Sequence, residues 1–194
     1  MFRSKIKNRY RRGKNIRLYQ GDILKELSFA TMESRRVSSG KSDIFQKVSL
    51  PFAVVLSQDC DLEHDFKFRG KELSNQDKFL LSILVCPAFE LETFANGGHL
   101  KGWEQNLNWK MNPTPDVERI KSNNSYKRYH FLSKSDEFLI PELVIDFKHF
   151  FTLPRNFIYS EKKTKYLASL SELFREELSQ RFTNYLSRIG LPEI

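Results

Sequence analysis

Residues 51–65 read PFAVVLSQDCDLEHD. Phe52-Ala53-Val54-Val55-Leu56 is a short, unbroken apolar run rich in β-branched side chains, with Pro51 at its start. Such a run marks a strand covered on both faces, because a half-exposed strand would alternate apolar with polar residues. Ser57 to Asp65 then gathers carboxylates, a thiol and an imidazole. The strand points to the fold class, and the cluster poses the functional question.

Working outward, Phe79 to Cys86 is a second apolar run, cut off by Pro87 because proline supplies no ladder donor. Gln20 to Leu27 reads as a first strand. Tyr126 to Ser133 alternates as a half-exposed strand does, and Leu143 to Phe147 and His149 to Leu153 complete the set. Residues 31–47 (TMESRRVSSGKSDIFQK) are polar, with Gly40 among them, and read as a long mobile loop. Within residues 94–125, Trp103, Leu107 and Met111 fall at helical spacing and predict a short helix ended by Pro113. Ser169-Leu170-Ser171-Glu172 fits a capping box. After it, Leu173, Phe174, Leu178, Phe182, Tyr185, Leu186 and Ile189 form one stripe of 3.6 period, with Glu177 and Arg181 paired across a turn and Gly190 as the stop.

These readings predict a mainly β, α+β protein. A small curled barrel over residues 18–160 carries an insertion around 94–125. A basic arm covers residues 1–17, and a long amphipathic helix over 169–190 packs on the barrel or on a partner.

The net charge of +8 sits in the arm: residues 1–17 hold eight basic residues and no acid. Subtracting them leaves 24 basic and 24 acidic residues in the rest of the chain. An arm of this kind suits phosphates or an acidic protein surface, while a solvated tail gives the same composition. Two cysteines make no disulfide framework, and no run of ~20 apolar residues appears. A reducing, cytoplasmic setting without membrane attachment is the expectation.

The order of segments resembles the MazF/PemK family of toxin–antitoxin endoribonucleases. The matching pieces are Gly21-Asp22-Ile23-Leu24, Pro51 to Ser57, Ile83-Leu84-Val85-Cys86-Pro87 and Leu143 to Leu153. The resemblance implies an SH3-like barrel with a C-terminal helix. The family's RNA-cleaving arginine precedes the proline of the second strand, where this chain has Leu50, with Lys47 the nearest cation. Its hydroxyl donor follows the proline of the third strand, where this chain reads Ala88-Phe89-Glu90. The toxin's chemistry is therefore not implied. S-Q-x-C-D-L near the first part of the chain, and Arg188 to Pro192 (RIGLP), are also similar to a group of uncharacterised bacterial proteins.

For the cluster, Asp59, Asp61 and Glu63 fall at period two and could share a strand face. A calcium loop is excluded by His64 where the tight glycine is needed. Zinc would require Cys60 and His64 to recruit Cys86 or His130 from elsewhere. A cysteine nucleophile lacks a local partner signature. We expect no cofactor and no metal, and read the cluster as a hydrogen-bonded strand exit with a solvated flank. Lys121 and Tyr126-Lys127-Arg128-Tyr129-His130 mix rings with cations, as single-strand binding surfaces do.

The leading expectation is a non-catalytic accessory protein, bound to nucleic acid or to a larger defence or toxin–antitoxin-like assembly. Arg9, Arg11, Arg12 and Lys14 would contact phosphate, and Tyr126, Lys127, Arg128 and Tyr129 would form the groove. Two alternatives stand beside it. One is a divergent endoribonuclease using Lys47, Asp59, Asp61 or His64; the other is a purely structural protein-interaction subunit.

Overall fold

Ala53, Val54, Val55 and Leu56 are all buried. Val54 and Leu56 enter one core, whereas Ala53 and Val55 enter another. Successive side chains of a strand point to opposite faces, so this division is what a strand covered on both sides requires. A computed structural model of the chain describes residues 8–13, 16–37, 40–71, 76–100 and 116–187. Lys14, Trp103, Leu107, Met111, Ile189 and Gly190 lie outside these residues, and with them the helix expected before Pro113 and the stop at Gly190.

The strands are β1 (Tyr10–Arg11), β2 (Asp22–Val37), β3 (Gly40–Val55), β4 (Ser82–Glu90), β5 (Tyr129–Leu132), β6 (Leu143–Asp146), β7 (Phe151–Pro154) and β8 (Tyr166–Leu170). They form one sheet in the order β1-β8-β2-β3-β4-β6-β5, with β7 also on β4. The helices are α1 (Asp59–Phe68), α2 (Leu91–Ala95), α3 (Val117–Lys121), α4 (Arg155–Lys165) and α5 (Glu172–Leu186). The protein is α+β, and its antiparallel sheet curls into half a barrel. One face packs on α5 through Leu178, Phe182 and Tyr185. The other is covered by Leu62 of α1 and by Ile158 and Tyr159 of α4. A third core joins Phe94 of α2 and Ile120 of α3 to Tyr129, Phe131 and Val144.

The two ends of the strand order meet through side chains. Arg9 Nη1 donates to the Phe131 carbonyl at 3.2 Å and the Tyr10 hydroxyl to the Ser133 carbonyl at 2.5 Å. Asn123 donates to the same Phe131 carbonyl and accepts from the Phe131 amide at 2.7 Å. A single side chain thus takes the place of a neighbouring strand and blunts the β5 edge. Residues 8–13 consequently belong to the fold rather than to a free arm: β1 pairs with β8, and Ser171 bonds to the Asn8 and Arg9 carbonyls.

Residues 31–47, expected as a loop, differ most. β2 and β3 pair with each other from Leu27↔Leu50 to Val37↔Gly40, whereas β8 reaches β2 only at Asp22–Leu24 and β4 reaches β3 only at Phe52–Val55. A two-stranded ribbon therefore continues past the sheet. It departs where Pro51 lacks a ladder donor and faces Glu26, at φ +52°, so that the pairing skips both residues without changing register. Polar composition hid the ribbon, since strands with little to bury carry no apolar signal.

The C-terminal helix is shorter than expected because its capping serine is used elsewhere. Ser169 is fully buried in β8 and its hydroxyl donates to Asp22 Oδ1 at 2.5 Å. Lys162 Nζ bonds to Asp22 Oδ2 at 2.6 Å and to the Arg17 carbonyl. Burial raises the Asp22 pKa and lowers that of Lys162, each against the attraction of its partner. On α5, Leu173 and Leu186 are exposed, and Arg181 donates to backbone carbonyls rather than pairing with Glu177.

Candidate nucleic-acid interface

The carboxylate cluster does not leave a strand; it forms α1. On a helix, residues two apart lie on different sides, so Asp59 and Asp61 cannot present oxygens together. Asp59 is an anchor, paired with Arg17 at 2.7 Å and Arg175 at 3.1 Å and accepting from the Gln20 amide. Asp61, Cys60 and His64 are exposed. Glu63 pairs with Lys67. Asp65 is fully buried and accepts from Arg69, the Leu80 amide and Arg155. Burial works against its charged form, but those bonds outweigh it and hold its carboxyl below the usual range. It staples α1 to the start of β4 and to α4.

Lys47 stands on the ribbon, opposite Ala30. Among the described residues, no hydrogen bond or ion pair joins any two of Lys47, Asp59, Asp61 and His64. Nor do three histidine, cysteine or acidic side chains gather there at metal-binding distance. Cys86 is buried, and desolvation followed by the Asp146 charge raises its thiol pKa well above the usual value, which removes it as a nucleophile.

The basic residues near the N-terminus are largely engaged. The Arg9 guanidinium lies 4.6 Å from the Phe174 ring centroid, and those of Arg11 and Arg17 lie 4.7 Å and 4.3 Å from that of Tyr19. Arg12 is exposed, 5.9 Å from the Phe138 centroid.

The ring-and-cation segment after α3 forms a surface beside the β5 edge. Arg181 of α5 fixes its backbone, donating to the carbonyls of Asn123, Tyr126 and Tyr129. Tyr129 turns inward, edge-on to Phe94 with centroids 4.9 Å apart, and is too buried to stack on a base. Tyr126 is half-buried, with the exposed Arg119 guanidinium 5.3 Å from its centroid. Arg128 is held by the fully buried Asp146 through Nε at 2.7 Å and Nη2 at 2.5 Å. Asp146 also caps the turn Phe147–His149 by accepting from the Lys148 amide. That turn presents Lys148 and, next in the chain, Phe150 at the surface, with Phe150 edge-on to Phe182.

Arg119, Lys127 and Lys148 have no carboxylate at ion-pair distance among the described residues. Two accessible rings lie on the same segments, Tyr126 beside Arg119 and next to Lys127 in the chain, and Phe150 two residues after Lys148. Phe150 escaped the sequence reading because it sits in a segment expected to be strand, and Lys148 because it falls between two such segments. Their signal was the short polar break, Asp146 to His149, between two apolar runs.

Histidines lie close behind this surface. His149 Nε2 is 3.6 Å from Asp146 Oδ2; burial lowers its pKa although Asp146 opposes the shift. His99 packs on Phe94 and Phe89, and neither ring nitrogen has a hydrogen-bond partner among the described residues. Burial pushes its pKa down to about 4 against the pull of Asp146, so it is neutral near pH 7. No described helix is long and apolar enough to cross a membrane. No family model matches the chain, and no curated protein and no solved structure is found to be similar to it.

Proposed function

We propose that the chain is a non-catalytic nucleic-acid-binding accessory protein built on an SH3-like barrel of the MazF/PemK kind. A single strand lies along the β5 edge, its phosphates on Arg119, Lys127 and Lys148 and its bases against Tyr126 and Phe150. The observation that carries this reading is a pair of segments, tied to each other through Arg128 and Asp146, that carry three cations with no carboxylate at ion-pair distance among the described residues and two accessible rings, Tyr126 and Phe150. Cations supply affinity without sequence preference, and flat rings accept any base.

The non-catalytic part rests on the positions that would perform the toxin's chemistry. Leu50, Ala88 and Phe89 are buried and apolar, and RNA cleavage needs a base for the 2′-hydroxyl and a cation for the developing phosphorane charge. The test is binding of a labelled single-stranded oligonucleotide to Tyr126→Ala. Loss of one stacked base costs about 1–3 kcal/mol, a drop of about 5- to 150-fold in affinity. Unchanged affinity removes Tyr126 from the interface.

A further inference from the structure

Lys148 and Phe150, the two exposed interface residues after β6, are separated in the chain by His149. Its Nε2 lies 3.6 Å from Asp146 Oδ2, and that same oxygen accepts from Arg128 Nη2 at 2.5 Å. One carboxylate oxygen thus faces a permanent cation and a group that becomes a cation only on taking up a proton. The other histidines do not share this setting. His99 and His130 are 6 % and 1 % exposed, and His64 lies on α1, which covers the opposite face of the sheet from α5. The His149 side chain is 20 % exposed, so it exchanges protons with solvent from the folded state.

The groups around His149 set what its protonation does. Among the described residues, β6 and the turn bring Asp146 and Lys148, the segment before β5 brings Arg128, and the segment after α2 brings His99. β5 sets Tyr129 opposite Asp146, β4 brings the Cys86 thiol onto the Asp146 carbonyl, and α5 brings Tyr185 against Phe147. Burial disfavours an imidazolium at this place, Asp146 favours it, and Arg128 and Lys148 disfavour it; the balance holds His149 below the usual value of ~6.5. Phosphates on Arg119, Lys127 and Lys148 would add negative charge where two cations oppose the proton. A group that takes up its proton more readily in a complex tightens that complex as pH falls.

We propose that His149 is a proton-operated switch of this interface: on protonation it takes Asp146 Oδ2, Nη2 of Arg128 turns to a phosphate, and the surface gains one positive charge. The step moves one proton from solvent to the imidazole and breaks no covalent bond. It rests on the function proposed above and deepens it, making single-strand binding tighter in mild acid than at neutral pH.

The experiment titrates labelled oligothymidylate, whose bases do not titrate in the range, against wild type and His149→Gln between about pH 5 and about pH 8. Glutamine keeps a donor for Asp146 but takes up no proton. Wild type is expected to bind about 5- to 10-fold tighter at the acid end, the worth of one added cation contact, with a salt slope steeper by about 0.7. The variant is expected to show neither change. Proton NMR of the wild-type imidazoles gives a second readout: the His149 titration moves to higher pH when the strand is bound. A pH profile shared by wild type and variant, or a His149 titration that the strand leaves unmoved, overturns the switch and leaves the edge site standing. If wild type binds at neither pH, the proposed function itself fails and takes the switch with it.

Discussion

Asp146→Asn separates the structural and the electrostatic roles of the same residue. The carboxylate is fully buried and accepts from Arg128 Nε at 2.7 Å, Arg128 Nη2 at 2.5 Å and the Lys148 amide at 3.1 Å. Asparagine has the same shape but one acceptor oxygen, and its amide group would face the guanidinium donor to donor. Breaking a buried pair costs about 3–5 kcal/mol. The lower end applies, because the Arg128 side chain is 30 % exposed and can reach water. About 3 kcal/mol in a chain of this size corresponds to a fall of roughly 6–12 °C in thermal midpoint. The same change releases the Arg128 guanidinium from its carboxylate for one further phosphate, so nucleic-acid affinity rises and the salt dependence steepens by about 0.7 in log–log slope. Scanning calorimetry and anisotropy titrations on one preparation measure both. A midpoint within about 2 °C of wild type would show that Asp146 does not hold Arg128, and weaker binding would refute the charge argument.

Further predictions concern the frame. Deleting residues 1–17 lowers the thermal midpoint sharply, because β1 and the Arg17–Asp59 pair go with it; circular-dichroism melts decide, and an unchanged midpoint removes β1 from the fold. Ser169→Ala removes a buried donor to Asp22 and costs about 1–3 kcal/mol in urea unfolding; an unchanged urea midpoint would refute that contact. His130 is pushed down to about 3 by burial, with the Arg181 and Arg9 charges adding to the shift. An unfolded histidine protonates near pH ~6.5, so between there and about pH 3 the unfolded chain holds a proton the native state lacks. Stability then falls as pH drops through that window, by up to ~1.4 kcal/mol per pH unit from this group. Urea midpoints against pH for His130→Gln should show a shallower acid limb than wild type.

What the sequence made legible followed burial. Phe52 to Leu56 and Ile83 to Cys86 were readable because strands in a two-sided core show as apolar runs. α1 was not: of its ten residues only Leu62 and Asp65 are buried, so no stripe exists, and three acids at period two imitated a strand. α4 follows β7 without a capping side chain, and the lysines after Tyr159, of which Lys162 is itself buried on Asp22, obscured Ile158 and Tyr159. The capping box at Ser169 was locally sound and was overruled by a tertiary contact, the Asp22 carboxylate, that no local pattern contains. For the interface, Tyr126 and Lys127 were legible as rings among cations. The inward turn of Tyr129 depended on Phe94, 35 positions earlier in the chain.

The most direct measurement is a salt titration of single-strand binding by wild type and by Arg119→Ser/Lys127→Ser/Lys148→Ser, with the strands also run on a denaturing gel. The account predicts intact strands, salt-sensitive binding, and a slope shallower by about 2 in the variant, at about 0.7 per phosphate contact. The same slope in both proteins, shortened strands, or no binding by wild type would contradict it.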